Sequence, residues 1–364
     1  MEDLVKMKNI SKDLAYIHYG LSDHHSKFRN KTILITGCAG FLGYYIMKYL
    51  STYLDELAIK EIIGLDNFIV GEPDWIKDLN SNKSINTYSF DIVNDNLENI
   101  SNISKVDYVL HMASIASPIY YRKYPLATID ANVWGLRKLL DYYLNKNLEG
   151  FLFFSSSETY GDPDPQNIPT QEDYRGIVSF TGPRACYDEA KRFGETLCGA
   201  FSREHNFHVS IARPFNNYGP GMKRNDMRAP PDFAKAVLEK RNIDIFSNGS
   251  PTRTFCYITD AIIGYFKVLF HNKFDSFNIG IDGPELSILS LAEIFRDIAR
   301  SEFNYSCEIN YKQSDDSEYL VDNPNRRCPD ISKAKKMLNY NPKIDVETGV
   351  LNFLKFIHEN PEDF

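Results

Sequence analysis

Three glycines at intervals of three, in Thr36-Gly37-Cys38-Ala39-Gly40-Phe41-Leu42-Gly43, separate two stretches of opposite periodicity. Before them, Lys31-Thr-Ile-Leu-Ile-Thr36 is a β-branched run that reads as a strand. After them, Leu42, Ile46, Met47, Leu50, Leu54 and Leu57 recur at helical spacing, and Glu61-Ile-Ile-Gly-Leu-Asp66 returns to strand character. In this β-α-β unit Gly37 permits the tight turn. Gly40 lets the backbone approach a pyrophosphate at the helix N-terminus, and Gly43 allows helix and strand to pack closely. Asp66 follows at the end of the second strand, where a carboxylate accepts from adenosine ribose hydroxyls and repels a 2′-phosphate. The pattern predicts an NAD site; Asp91-Ile92 after the next strand are candidates to flank the adenine.

The alternation persists through candidate strands at Thr87–Phe90, Tyr108–His111, Gly150–Ser155 and His208–Ala212, with helices over Pro125–Leu144 and Arg184–Glu204. It predicts an α/β fold: a doubly wound parallel sheet covered by helices on both faces, with a smaller C-terminal lobe. Past Pro214 the pattern breaks into shorter elements, including helices at Pro230–Lys240, Leu289–Arg300 and Ser332–Leu338. The expected division is an N-terminal extension over 1–29, an NAD-binding Rossmann domain over 30–215 to which 255–271 returns, and a nucleotide-sugar-binding lobe over 216–364.

Composition narrows the partners. Lys+Arg 41 against Asp+Glu 49 leaves a net charge of -8, unfavourable for adhesion to nucleic acid or anionic lipid. No apolar run approaches the roughly 20 residues of a membrane span, and Met1–Asn30 holds no cleavable hydrophobic segment, so a cytoplasmic protein is expected. The six cysteines are scattered without a CxxC pair, as in reduced, buried thiols, and no metal site is expected. His24-His25 reads as part of a solvated loop.

Tyr187-Asp-Glu-Ala-Lys191 places a phenol and an ammonium on one face of a helix. A lysine cation beside a phenol, together with a positive nicotinamide ring, favours phenolate and makes a base usable near neutral pH. The apolar strand Phe151–Phe154 opens into Ser155-Ser156-Ser157-Glu158, at the carboxyl end where open α/β sheets carry their chemistry. A serine hydroxyl there can share the substrate oxygen that the phenolate deprotonates.

These residues resemble the extended short-chain dehydrogenase/reductase family that modifies nucleotide sugars. The resemblance runs from about Lys31 to about Pro342 and rests on TGCAGFLG, the serine cluster, YxxxK and ARPFNNYGPGM at Ala212–Met222. Its decarboxylase branch, which acts on UDP-glucuronate, is most similar in HMASIASPIYY (His111–Tyr121), SSSETYGDP (Ser155–Pro163), GPRACYDEAKR (Gly182–Arg192), PTRTFCYITD (Pro251–Asp260) and RRCPDISKAK (Arg326–Lys335). Dehydratases of the same frame place an Asp-Glu pair where this chain has Ser157-Glu158, and 4-epimerases place small apolar residues there.

The resemblance implies oxidation of the sugar at C4, loss of C6 as CO₂ and re-reduction at C4. Tyr187 acts as base, assisted by Lys191 and by Ser156 or Ser157. Glu158 positions the carboxylate end or a water near C5, and Arg327 is the anion contact or proton donor there. Further cofactor contacts fall to Phe41, Leu42, Asn67, Met112, Ala113 and Pro214. Asn216, Arg228, Arg253 and Tyr121 are implied to hold a UDP-linked sugar. Dehydration or epimerisation of another nucleotide sugar remains open at this point, since Arg122-Lys123 makes the substrate loop more basic than the family's. A non-catalytic NAD-binding scaffold would leave Tyr187, Lys191 and the serines without a task. The apolar faces of the 125–144 and 184–204 helices imply a homodimer.

Overall fold

The computed structural model describes residues 9–361. Seven strands, β1 (Thr32–Thr36), β2 (Glu61–Asp66), β3 (Ile85–Ser89), β4 (Tyr108–His111), β5 (Gly150–Phe154), β6 (Val209–Pro214) and β7 (Asp275–Ile279), form one sheet in the order β7-β6-β5-β4-β1-β2-β3. Every pairing in it is parallel, with Thr36 in register with both Leu65 of β2 and His111 of β4. After β1 the chain builds outward to β3, then returns to the other side of β1 for β4. Crossovers therefore leave β1 and β4 in opposite directions, and a crevice opens at their carboxyl ends.

Both faces of the sheet are buried because strand side chains alternate. Ile33 and Ile35 of β1 pack into one core with α1 (Asn9–Gly20), α2 (Phe41–Thr52) and α6 (Ile258–His271). Leu34 points into the other, which holds α3 (125–143) and α4 (Ala185–His205). The helix α3 runs from Pro125–Asp130 through a π turn, Ala131–Gly135, into Leu136–Tyr143. The C-terminal part contributes α5 (Ala229–Leu238), α7 (Ile288–Phe303) and α8 (Val346–Glu359), which pack on one another. A small ribbon sets Thr252–Arg253 between Leu286–Ser287 and Arg326–Arg327, with Arg327 directly opposite Arg253.

Two elements differ from the sequence expectation. The strand β7 was not foreseen, because polar Asn278 interrupts its apolar run; the fully buried amide is satisfied by Tyr160, Thr170 and Asp330. The His24-His25 pair is not a solvated loop. His24 stacks on Phe270 at 5.5 Å, and the His25 ring nitrogen lies 3.0 Å from the His18 carbonyl.

The preceding helix α1 is a full member of the core, burying Leu14 and Ile17. Its Asp13 accepts hydrogen bonds from the hydroxyls of Tyr45 (2.7 Å) and Tyr257 (2.6 Å), while Tyr16 donates to Asp260 at 2.7 Å. Burial pushes the Asp13 carboxyl up to about 6 against the pull of the two tyrosines. A carboxyl whose folded pKa is raised holds its proton longer in the native state, so it makes stability fall as pH rises from 3.8 to about 6. Urea unfolding across that window is expected to show a shallower fall with pH in Asp13→Asn than in the parent chain.

Candidate active site

The glycine turn has the backbone geometry that a dinucleotide requires. Gly37 sits at φ +73, and a Cβ there would meet the Ala113 nitrogen at 2.8 Å; at Gly43 it would meet the Cys38 carbonyl oxygen at 2.2 Å. Gly40 begins α2 without any side-chain cap, so the first-turn N–H groups are free to face an anion. The Asp66 carboxylate is oriented by the N–H groups of Ala39 (3.0 Å) and Phe68 (2.8 Å), at the edge of the same crevice. A close backbone turn, an uncapped helix start and an oriented carboxylate together fit NAD.

From this turn a cavity of about 610 Å³ runs toward the C-terminal part. Gly37, Gly40, Phe41, Leu42, Gly43, Asp66, Asn67, Asp91, Ile92, Met112, Ala113 and Pro214 line its nucleotide end. Ser156, Ser157, Glu158, Tyr187 and Lys191 line its middle, and Tyr121, Asn216, Arg228 and Arg253 line the remainder. Of the catalytic, cofactor-binding and substrate-binding residues expected from the sequence, Arg327 alone is absent from the wall.

Tyr187 projects from the first turn of α4 and is 6% exposed. After β5 the chain makes a 3-10 turn, Ser157–Tyr160, capped by Ser156, whose hydroxyl accepts from the Glu158 N–H at 3.2 Å. That leaves the Ser156 proton free to turn toward Tyr187, whose phenol Ser156 pulls down in pKa. Lys191, one turn along α4, donates to the Phe154 carbonyl at 2.6 Å and lies 5.7 Å from the Tyr187 ring centre. Burial pulls its ammonium down to about 7, opposed by Glu195.

The protein's own groups do not bring Tyr187 toward neutrality, as the sequence reading expected of its lysine neighbour. Burial, with Glu158 and Asp188, holds the phenol up at about 12 against Ser156 and Arg228. A buried lysine that is itself reluctant to stay charged cannot do more. Tyr121 stacks on the phenol at 5.2 Å, with its own hydroxyl buried and unpartnered.

Glu158 is clamped by two arginines. Arg327 donates to it at 2.8 Å and also to the Ser157 carbonyl, and Arg184 donates to the same carboxylate oxygen. Burial alone raises a carboxyl, yet Arg184 and Arg327 override it and hold Glu158 well below the usual carboxylate range. Arg327, expected in contact with the substrate anion, is instead 1% exposed behind Glu158, with its two terminal nitrogens donating to Ser157 and Glu158 and its Nε buried without a partner. The reason is the two-residue strand that carries it, which turns Arg327 inward and sends Arg326 out to Glu285.

The remaining polar residues divide similarly. Arg253 donates to the carbonyls of Thr252 (2.7 Å), Pro324 (2.5 Å) and Asn325 (3.1 Å), and Arg228 pairs with Asp226 at 2.7 Å. Asn216, in the left-handed region at φ 41, leaves its amide nitrogen buried and unpartnered. Sequence reasoning passed over Arg184 and Asp188, although both stand in the quoted GPRACYDEAKR segment. The signal was Glu158 itself, since a buried carboxylate requires a cation.

Residues 33–280 match the NAD dependent epimerase/dehydratase family. The chain is 35% identical over 319 residues to UDP-glucuronic acid decarboxylase 1 of Arabidopsis thaliana, covering 87% of this chain and 68% of that one. It is 33% identical over 337 residues to UDP-glucuronic acid decarboxylase 1 of Danio rerio, covering 91% and 74%. Among solved structures it is similar to UDP-glucuronic acid 4-epimerase of Bacillus cereus in complex with UDP-glucuronic acid and NAD, with 26% identity, a TM-score of 0.76 and coverage of 90% and 99%.

The Gly43→Ala variant tests the turn. A methyl group against the Cys38 carbonyl forces α2 away from β1, at the 1–3 kcal/mol typical of overpacking, so NAD affinity by calorimetry is expected to drop about tenfold or more.

Proposed function

Because the chain belongs to the NAD dependent epimerase/dehydratase family, we propose that it converts UDP-glucuronate to UDP-xylose by decarboxylation. The observation that carries this reading is one continuous cavity: it joins the glycine turn to Tyr187 with Ser156, and then to Arg228 and Arg253. The similarity to decarboxylases over about nine-tenths of the chain supports the same substrate.

Gly37, Gly40, Gly43 and Asp66 would hold NAD, which when bound would accept hydride from the sugar C4 and return it. With the positive ring of bound NAD to bring its phenol down, Tyr187 would take the proton of the C4 hydroxyl, and the Ser156 hydroxyl beside it would donate to the same oxygen. The ketone at C4 makes the C6 carboxylate part of a β-keto acid, whose CO₂ departs as electrons delocalise into the C4 oxygen. Tyr187 and Ser156 stabilise that oxygen as charge develops on it. Arg228 would bind the diphosphate end, for which guanidinium geometry is suited, while Arg253, its donors on backbone carbonyls, contributes positive charge there.

The state of Glu158 separates decarboxylation from dehydration. Elimination of a C6 hydroxyl needs a proton donor, and a carboxylate held ionised between Arg184 and Arg327 is a poor one; Ser157 replaces the other acid of the dehydratase pair. Departure of CO₂ requires no such donor: the enolate it leaves takes a proton at C5 from water afterwards, and Tyr187 returns its proton to the C4 oxygen as the hydride comes back.

The chain acts as a cytoplasmic homodimer in this reading. Its six cysteines are all unpaired, as in a reducing compartment. Among the described residues no helix is long and apolar enough to cross a membrane. Leu126 and Trp134 on α3 and Phe193 on the adjoining α4 are exposed apolar side chains, 74%, 59% and 47% accessible, and a second copy would cover them.

Incubation with UDP-glucuronate should yield a product lighter by one CO₂ in the mass spectrum, without net consumption of NAD. Loss of water would establish a dehydratase, and an unchanged mass with altered stereochemistry an epimerase. In Tyr187→Phe, kcat should fall by about 10²- to 10⁴-fold, the range of a lost general base, while NAD stays bound. Light scattering of the Trp134→Lys, Phe193→Lys double variant should report half the mass of the parent; equal masses would remove the dimer.

A further inference from the structure

The segment 219–228 leads to α5 without forming helix or strand, and it runs along the cavity from the nucleotide end to the sugar end. Gly221, Met222, Lys223, Asp226, Met227 and Arg228 all stand on the wall. The path hugs the cofactor turn. Gly221 sits at φ +90, and a Cβ there would meet the Phe41 carbonyl oxygen at 3.0 Å and the Tyr44 Cβ at 2.9 Å, so glycine is what lets the chain pass this close to the first turn of α2.

The segment has a hold at each end and one between. At the nucleotide end Lys223 is half-buried, and its ammonium donates to the Val70 carbonyl. Val70 belongs to the turn after Asp66, which is closed by the Gly71 N–H on the Phe68 carbonyl at 2.8 Å. Asp66, Asn67, Ile69 and Val70 line the wall where the ribose of the adenosine is expected. In the middle the buried Ser117 hydroxyl donates to the Asp226 carbonyl at 3.0 Å. At the sugar end the Asp226 carboxylate grips Arg228 at 2.7 Å, and the Arg228 guanidinium lies 5.9 Å over the ring of Phe41, the first residue of α2.

The hold at Lys223 is the one that the reaction leaves without a task. Burial pulls its ammonium down, opposed by Asp66 and Asp226 on either side, and it crosses from the segment that carries Arg228 to the turn that carries Asp66. Two ligands that each need the same segment fixed assist one another, because the ordering is done once. Assistance of that kind is reciprocal at equilibrium.

We propose that Lys223 is a positioning residue that couples the two ends of the cavity: by tying the 67–71 turn to the segment that carries Arg228, it makes a bound UDP group slow the escape of NAD. This rests on the reading of a UDP-linked substrate. It also serves the reaction, since a sugar left as its C4 ketone is stranded if the cofactor departs before the hydride returns.

The protein is loaded with isotopically labelled NAD and chased with excess unlabelled NAD, and release is timed with and without saturating UDP. In the parent, UDP should slow release about tenfold, within the usual range for coupled sites. Lys223→Met should release NAD faster in the absence of UDP and respond to UDP by less than about twofold. Lys223→Arg, which keeps a charged donor, should recover most of the response.

A Lys223→Met protein in which UDP still slows release as in the parent overturns the inference, even where NAD is held more weakly, because Lys223 is then a local contact only. UDP that binds the NAD-loaded parent saturably in calorimetry without slowing release also overturns it, and leaves the UDP-sugar reading standing. Absence of saturable UDP binding overturns that reading and the inference with it. If Lys223→Met does not fold, hydrogen exchange in the NAD-loaded parent decides: added protection of the 67–71 amides by UDP supports the coupling, and unchanged exchange there overturns it.

Discussion

A carboxylate taken out of water must be met by cations, and the Glu158 side chain meets this demand from two distant parts of the chain. Arg184 comes from the entry to α4 and Arg327 from the small ribbon of the C-terminal part, 169 positions away. The clamp fixes the turn after β5, and that turn presents Ser156 to Tyr187. A single buried ion cluster thus aligns the hydroxyl pair at C4 and ties the lobe to the sheet. Such clusters give little net stability, because desolvation cancels most of the attraction, but they penalise any arrangement that leaves one member alone.

The sheet supplies the other half of the arrangement. Reversal of strand order between the parallel neighbours β1 and β4 places Gly37, Asp66 and Met112–Ala113 around one crevice, while β5 and β6 deliver Ser156 and Pro214 along its continuation. Cofactor end and sugar end are therefore set by successive carboxyl termini of parallel strands. His111, at the end of β4, is a buried imidazole that burial pushes down to about 3; Thr36 lies 2.8 Å from its Nδ1 across the β1–β4 seam. It joins the two strands as a neutral group and adds no charge beside Lys191.

Much of this was legible in the residues because the constraints are local. Gly37 and Gly43 are dictated by backbone approach, and Tyr187 with Lys191 by one helical turn. What stayed hidden depends on partners far along the chain. Asn278 looks like a strand breaker until the groups that satisfy it, from 160, 170 and 330, are in place. The α1 segment reads as polar, since its Asp13 and Tyr16 meet Tyr45, Tyr257 and Asp260 only in three dimensions. The Arg326-Arg327 pair could not be resolved from spacing, because nothing in a doublet says which side chain faces inward.

Arg253 and Arg327 face each other on one rung of the same ribbon, and their strands are stitched by Thr252 N–H to the Asn325 carbonyl at 2.9 Å and Thr254 N–H to the Arg327 carbonyl at 3.1 Å. They cannot be displaced one at a time. A swing of this ribbon away from the sheet would withdraw a wall of the sugar chamber and strip a guanidinium from Glu158 in the same stroke. The sugar wall and the Ser156 cap therefore share one support.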